Sequence, residues 1–181
     1  MRDKILDAAE ARMRAGGYNA VSFRDIANDV GVKSASVHYH FPTKEDLGVA
    51  LVERYTDRVF EAVAAAAPEG ADPAASVRAM AGVYCGAFVE GKSICLCAML
   101  SAESVGLPDR VVEAVKAFHE KSLDWLRAAF AGNAAAEARA AAVFSVLQGG
   151  LLVAAVNRDG DYMERAAAGA MALADASFQE G

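Results

Sequence analysis

The sequence predicts an all-α protein with a three-helix N-terminal head and a larger helical bundle, about nine helices in all. Apolar residues recur at three- and four-residue spacing along most of the chain, which is the pattern of helices that bury one face. Alanine is abundant, and only 4 of the 181 residues are proline, which favours helices. No segment has the alternating pattern of a half-buried strand.

The head is predicted to begin with a helix over residues 3–15. The inner stripe of this helix comprises Ile5, Leu6, Ala9 and Met13. A second helix starts at Ser22, whose hydroxyl can cap it while Asp25 occupies the third helical position. Gly31 lies where the chain leaves this helix, and glycine tolerates the positive φ expected there.

A third helix over residues 34–40 is too short to be stable alone. Val37 and Phe41 are therefore expected to anchor it against the second helix. Pro42 ends it, because the residue before a proline avoids the α region. Two short helices joined by a glycine turn are typical of the helix-turn-helix motif, whose second helix enters the major groove of DNA.

Thr43 is expected to cap a long helix from Lys44 to Ala66 that connects the head to the body. Glu45 and Asp46 lie in its first turn, near the positive end of the helix dipole. The remaining predicted helices span residues 74–90, 95–103, 109–130, 135–156 and 159–178.

The head also carries a recognisable set of residues at fixed positions. They are Ile5, Ala8, Ala9, Gly17, Tyr18, Val21, Ser22, Asp25, Ile26, Ala27, Gly31, Val32, Tyr39, His40, Phe41, Pro42, Lys44 and Leu47. In this pattern the chain resembles the TetR-type (tetracycline-repressor) bacterial regulators. The resemblance implies a DNA-binding domain over residues 1–47 and a ligand-binding and dimerisation domain over residues 48–181. It implies a homodimer, a double-stranded DNA operator and a small-molecule effector, with no cofactor and no catalytic residues.

The residues expected to contact DNA lie on the second and third helices and just after them. They are Arg24, Lys33, Ser34, Ala35, Ser36, His38, Tyr39 and Lys44. Two of them depart from the family pattern: His38 stands where a phosphate-contacting tyrosine is usual, and Lys33 where a capping serine or threonine is common. We expect Tyr39 and Lys33 to reach phosphates, and Lys44→Ala to lower the salt slope of binding by about one unit.

The formal net charge of −6 at first argues against a nucleic-acid-binding protein. Its distribution weakens that objection. Residues 1–47 hold seven Lys or Arg and seven Asp or Glu, so the head is neutral and the rest of the chain carries the excess. Phosphate affinity must then depend on where a few cations point, helped by helix N-termini.

The predicted helix over residues 135–156 is nearly apolar all round, which is typical of a helix buried on more than one side. Small residues would let another helix approach it closely; they are Ala141, Ser145, Gly149 and Ala155. We expect the last two helices to form a four-helix dimer interface about a two-fold axis. The alternative is an ordinary core helix. Gly149 and Gly150 each cost about 1 kcal/mol relative to alanine, which close packing or room for a ligand would explain.

The resemblance places an effector pocket within the body. The residues expected to line it are Tyr84, Phe88, Cys97, Leu100, Phe118, Trp125, Leu147 and Leu151. Each is assigned from helical facing, and plain core packing is the alternative for each. Few buried charges are predicted, which favours a small apolar or aromatic effector. Gln148 or His119 is expected to orient it.

Three cysteines leave a choice of roles. Cys85, Cys95 and Cys97 can be small core residues. Cys95 can instead react as a thiol sensor with Cys97, since its position at the predicted start of a helix would lower its pKa. A metal site is disfavoured, because only three histidines exist and two lie in the head, where His38 and His40 point apart on a helix.

The sequence disfavours several other classes of protein. It has no apolar run of about 18 residues, and its start is charged, so neither a membrane span nor a signal peptide is expected. Cysteines without a disulfide framework indicate a reducing cytoplasm. The sequence shows no nucleophile–base pair, no paired carboxylates and no phosphate-binding loop, so it does not favour an enzyme. The sequence therefore favours a ligand-responsive repressor. The alternative from a different functional class is a helical protein-interaction module that does not bind DNA.

Overall fold

The computed structural model of the chain describes residues 1–67, 70–91 and 94–175. Within these residues it has nine α-helices and no strand, which confirms the all-α prediction. The helices are α1 (Arg2–Gly16), α2 (Phe23–Val30), α3 (Ser34–His40), α4 (Lys44–Ala66), α5 (Pro73–Gly91), α6 (Leu96–Ala102), α7 (Asp109–Ala129), α8 (Ala136–Asn157) and α9 (Gly160–Asp175). Short 3-10 turns occupy Tyr18–Ala20 and Ser104–Gly106.

The predicted boundaries of these helices agree closely with the structure. Helices α3 and α4 begin and end where the sequence predicts. Helix α5 starts one residue earlier than expected, because the carboxylate of Asp72 accepts a hydrogen bond from the backbone N–H of Ala75 at 2.7 Å and so caps the helix. The predicted continuation of the last helix over residues 176–178 lies outside the described residues.

The chain divides into two compact units. The first comprises Met1–Asp57 and Leu96–Phe118, and the second Arg58–Cys95 and His119–Gly181. The first unit therefore contains the three-helix head together with α6 and the beginning of α7. The expected boundary at residue 47 is a functional division, which compactness alone does not test, and it stays a prediction.

The first unit has a core built from the predicted stripes of the head. All four apolar residues of the α1 stripe are fully buried. Ile26 of α2 and Leu47 and Leu51 of α4 are likewise 0% exposed. Burying a side chain of this size contributes about 1.5–3 kcal/mol, so these contacts, rather than the propensity of such short helices, stabilise the head.

In the second unit, α9 packs against α8 and α5. The two helices approach closely at Gly150 of α8, where an added Cβ would lie 2.6 Å from Cβ of Ala166 on α9. Close packing therefore explains this glycine. Nothing lies within 4 Å of a Cβ built at Gly149, so that position has no packing partner within the described part of the chain.

Candidate nucleic-acid interface and effector site

The turn between α2 and α3 is formed by local hydrogen bonds. Ser22 caps α2 as predicted, because its hydroxyl accepts a hydrogen bond from the backbone N–H of Asp25 at 3.1 Å. Gly31 has φ of 74° and a left-handed conformation, as expected for the residue that ends α2. The N–H of Val32 donates to the carbonyl of Ala27 at 2.9 Å and closes the turn. These contacts set the angle at which α3 leaves α2.

Helix α3 is anchored on one side and open on the other. Val37 is 0% exposed and Phe41 only 3%, so both act as the predicted anchors. Tyr39 is 85% exposed, and its phenol is therefore free to reach a phosphate. A helix of seven residues held in this way presents one fixed face to solvent.

The two histidines of α3 pack against neighbouring rings. The exposed imidazole of His38 lies edge-on to Phe23, with ring centroids 4.6 Å apart. The half-buried His40 makes a similar contact with Tyr39 at 5.3 Å. His40 therefore supports the exposed tyrosine, while His38 keeps one edge toward solvent.

The basic residues of the head fall into two groups. Arg12 of α1 forms an ion pair with Asp29 of α2, and this contact lowers the pKa of that carboxyl. Arg24 and Lys33 are exposed and make no ion pair within the described residues. Lys33 is the residue before α3 and makes no capping hydrogen bond with its side chain, so its ammonium group remains available.

The remaining predicted contacts also surround the start of α3. Ala35 is exposed, and Ser34 and Ser36 are half-buried. A DNA-contacting role for these residues stays a prediction, as it does for the charged residues beside them.

Lys44 lies in a different environment from the other predicted contacts. Its ammonium nitrogen is 4.4 Å from the centroid of the Tyr18 ring. Partial burial lowers its pKa, and the nearby carboxylate of Glu103 acts in the opposite direction. Lys44 must therefore leave, or share, this cation–π contact if it binds a phosphate, and its predicted role in the salt slope stays a prediction.

Acidic residues of the head are neutralised by arginines that lie beyond residue 47. Arg54 of α4 forms ion pairs with Asp7 at 2.8 Å and with Glu10 at 3.3 Å. Arg110 of α7 pairs with Asp46 at 2.7 Å. Three acidic residues of the head are thus paired with arginines outside residues 1–47. More cations of the head are therefore left without an acidic partner than the equal charge count suggests.

The predicted effector-site residues are distributed over both units. Cys97, Leu100 and Phe118 belong to the first unit and are fully buried. In the second unit, four of the predicted residues are at most 8% exposed: Tyr84, Phe88, Leu147 and Leu151. Burial agrees with a pocket lining and equally with plain core packing, so the assignment stays a prediction.

Trp125 is the least buried of the predicted lining residues. It is half-buried, whereas its neighbour Leu126 is 0% exposed and is the residue that α7 turns inward. The indole Nε1 of Trp125 is nevertheless shielded from solvent and has no hydrogen-bond partner in the described part of the chain. A buried donor without a partner costs free energy, and this environment agrees with a pocket lining and with core packing alike.

Two half-buried polar side chains of the second unit each have a shielded polar or aromatic environment. Gln148 donates through Nε2 to the hydroxyl of Tyr84 at 3.4 Å, while its Oε1 is buried without a partner among the described residues. His119 packs edge-on to Phe144 with centroids 5.4 Å apart, and burial lowers its pKa. His119 is therefore favoured in its neutral form, which can both donate and accept a hydrogen bond.

None of the three cysteines forms a disulfide, and they occupy largely buried positions. Cys97 is 0% and Cys95 is 2% exposed, and α6 begins at Leu96. Burial raises the pKa of the Cys85 thiol. No group of three or more His, Cys, Asp or Glu that could hold a metal ion occurs in the described part of the chain.

A capped helix, a left-handed glycine turn and a short anchored helix with an exposed polar face define a helix-turn-helix DNA-binding protein. The protein-family description "Bacterial regulatory proteins, tetR family" matches residues 5–51. A solved structure of a TetR-family transcriptional regulator from Agrobacterium tumefaciens shares 30% identity, covers 94% of this chain and 95% of its own, and has a TM-score of 0.87. The chain belongs to the TetR family, whose members regulate transcription and are typically repressors.

Two characterised relatives are similar over different extents. The HTH-type transcriptional regulator LmrA of Bacillus subtilis (strain 168) is 26% identical over 159 residues, which cover 84% of this chain and 85% of LmrA. IcaR of Staphylococcus aureus (strain Newman), an HTH-type negative transcriptional regulator of the biofilm operon icaADBC, is 40% identical over 47 residues. That match covers 26% of this chain and 25% of IcaR.

Proposed function

We propose that this regulator is a homodimeric repressor that leaves its operator when a small apolar or aromatic effector binds. Residues 1–47 serve as the DNA-binding domain and residues 48–181 as the ligand-binding and dimerisation domain. The observation that carries the proposal is the asymmetry of α3, in which a fully buried Val37 lies beneath a Tyr39 that is 85% exposed. The core therefore holds one face of α3, and the other face is free to enter the major groove, as a recognition helix requires.

Direct contact with DNA is assigned to the residues that surround the open face of α3. They are Arg24, Lys33, Ser34, Ala35, Ser36, His38, Tyr39 and Lys44. In a two-fold dimer the two α3 helices would enter successive major grooves of a near-palindromic operator, about 34 Å apart. Each head alone binds weakly, and the dimer makes the second contact intramolecular.

Homodimerisation is proposed through α8 and α9, because α8 leaves an apolar face uncovered in the single chain. Leu152 is 40% exposed, Val153 38% and Val156 85%. The sequence predicts no membrane span, yet α8 is long and apolar enough to cross a membrane by length and composition, with a mean hydropathy of 1.7 and 39% of its apolar window buried in the chain. A second copy is favoured, since Ser145 and Gly149 on the same face permit close helix approach and a two-fold axis pairs like surfaces.

The dimer is tested by placing a charge on this face. Val156→Asp should yield monomers in sedimentation equilibrium, because the carboxylate would be buried without a partner. Val105→Asp makes the same change at a fully exposed valine in the 3-10 turn of the first unit and should leave the dimer intact. A monomeric wild-type protein, or a dimeric Val156→Asp protein, would contradict the proposed interface.

Effector binding is proposed for the interior of the second unit, with Tyr84, Phe88, Leu147 and Leu151 among the lining residues. Support comes from the buried Oε1 of Gln148, which has no partner in the described part of the chain. Leaving such a group unsatisfied costs about 1–3 kcal/mol, and a hydroxyl on a bound molecule would remove that cost. The apolar surroundings favour a small, largely apolar or aromatic molecule with few polar groups.

Release by an effector is measured by titrating the protein–DNA complex with a set of small phenols and matched hydrocarbons. We expect phenols to release DNA at lower concentration than the hydrocarbons, and Gln148→Ala to remove that difference. Asn157→Ala removes another side-chain amide, at the exposed last residue of α8; it is the control and should keep the difference. Failure of every compound to release DNA from a protein that binds it would contradict ligand-responsive repression by this class.

A thiol-sensing repressor that uses Cys95 and Cys97 is the alternative, and the burial of both thiols disfavours it, because a reactive cysteine needs access. Proteins carrying Cys95→Ser and Cys97→Ser are expected to release DNA in response to the effector as the wild type does. A response to electrophiles that disappears in these variants would favour the sensor. Free thiols also suit the reducing cytoplasm, where we infer that the protein acts.

A further inference from the structure

The N-terminal end of α1 carries a cation that helix stability does not explain. Arg2 is the first residue of α1, where the positive end of the helix dipole disfavours a positive side chain. An acidic residue suits such a position better, as Asp3 does one residue later. The arginine at residue 2 therefore weakens the start of α1 slightly, and its presence needs another reason.

An aromatic contact holds Arg2 beside α3. Its guanidinium carbon lies 5.3 Å from the centroid of the Phe41 ring. Phe41 directly follows the last residue of α3 as its C-cap and is only 3% exposed, so the core of the head fixes its position. Stacking on a ring occupies one face of a guanidinium and leaves its N–H donors at the edge available.

Arg2 also lacks an acidic partner. Its side chain is exposed and makes no ion pair within residues 1–67, 70–91 and 94–175. The same is true of Lys4, two residues further along the helix. Arg2 and Lys4 thus join Arg24 and Lys33 as the cations of the head that no carboxylate neutralises, although the sequence predicts only the last two as contacts.

We propose that Arg2 binds a phosphate of the DNA backbone beside the C-terminal end of α3, as a positioning residue for operator binding. The inference rests on the proposed entry of α3 into the major groove. In that geometry the N-terminal part of a recognition helix meets the bases, so its C-terminal end approaches the rim of the groove, where the phosphates run. Guanidinium N–H groups match phosphate oxygens in a bidentate arrangement, and the exposed phenol of Tyr39 adds a donor at the same end of α3.

The salt dependence of binding to a short random-sequence duplex tests this contact. Phosphate contacts carry no direct sequence information, so the assay needs no known operator. Fluorescence anisotropy is recorded with the full-length protein from about 50 to 200 mM salt. The slope of log K against log salt is negative, and Arg2→Ala should reduce its magnitude by about 0.9 for each protomer bound. Arg2→Lys should retain most of the slope, because it keeps the charge.

The control is Arg78→Ala, which removes an exposed arginine of α5 that has no ion pair in the described part of the chain. It changes net charge equally, lies in the second unit, and should leave the slope unaltered. If Arg2 only packs on Phe41, Arg2→Ala will lower the melting temperature without changing the slope, and that result overturns the proposal.

Arg24→Ala in the same assay separates two kinds of failure. If Arg24→Ala lowers the slope and Arg2→Ala does not, the Arg2 contact is wrong and the docking of α3 stands. If neither substitution lowers it, the proposed approach of the head to DNA is wrong as well.

Discussion

The carboxylate of Glu103 accepts a hydrogen bond from the backbone N–H of Tyr18 at 2.7 Å. This contact joins the turn after α6 to the end of α1, within the first unit. The ring of Tyr18 also makes a cation–π contact with the ammonium group of Lys44, the first residue of α4. The turn after α6, which lies beyond the head in sequence, therefore helps to hold α1 and α4, the helices that precede and follow α2 and α3 in the chain.

Loss of this acceptor should destabilise the protein. Glu103→Ala leaves a partly buried N–H unpaired and is expected to lower the free energy of unfolding by about 1–3 kcal/mol. Glu103→Gln keeps an amide oxygen in place and should lose less. Urea denaturation compares the two variants. A Glu103→Ala protein as stable as the wild type would show that the hydrogen bond contributes nothing.

The cap of α2 makes a second prediction. Ser22→Ala removes the hydroxyl that accepts from the N–H of Asp25 and should reduce stability by about 0.5–2 kcal/mol. Asn28→Ala changes an exposed residue of the same helix and should stay within about 0.5 kcal/mol of the wild type. Chemical denaturation measures both values, and equal losses would mean that capping is not the cause.

Packing between α8 and α9 makes a third prediction. Gly150→Ala would bring a methyl group within 2.6 Å of Cβ of Ala166 and should destabilise the protein by about 1–3 kcal/mol. Gly82→Ala on α5 meets nothing within 4 Å and should stabilise it by about 0.4–1 kcal/mol. Thermal unfolding distinguishes the two signs. A stabilised Gly150→Ala protein would refute the close approach of the helices.

The ion pair between Arg110 and Asp46 makes stability depend on pH in a defined direction. Hydrogen bonds from Arg110 and then from Thr43 lower the pKa of Asp46 below its unfolded value. The stability that this group adds is present above about pH 4, where the unfolded carboxyl is ionised, and is lost as pH falls through the lower folded pKa.

The difference in stability between wild type and Arg110→Ala should therefore be constant near neutral pH and shrink below about pH 4. Urea denaturation over a pH series measures it. Arg78→Ala removes an arginine with no described ion pair and should differ from wild type by an amount that does not change with pH. A difference for Arg110→Ala that stays constant into acid would contradict the role of Asp46.

The structure of the head is predictable from the sequence because the signals there act within a few residues. The caps at Ser22 and Thr43 and the positive φ of Gly31 all occur as expected. So do the anchors of α3, whose burial follows from spacing alone. Helical propensity, capping and apolar periodicity are local properties, and the head is the part of the fold in which they agree with one another.

Contacts between segments that are far apart in the sequence cannot be predicted from these local signals. Glu103 and Tyr18 are 85 residues apart, and Arg110 and Asp46 are 64 apart, so no local pattern links them. The effector site is less predictable still, because helical facing predicts burial without separating a pocket wall from core. Trp125 shows this limit, since its neighbour Leu126 takes the inward position.

DNA recognition by α3 is tested most directly by fluorescence anisotropy of the purified protein with its own upstream DNA, measured across salt concentrations. We expect tight, sequence-selective binding with a steep salt slope. Replacing Arg24 and Lys33 together by alanine should reduce that slope by about 1.8 for each protomer, since each phosphate contact accounts for about 0.9. Binding no tighter than to random DNA, with a slope that these substitutions leave unchanged, would contradict recognition of DNA through the exposed face of α3.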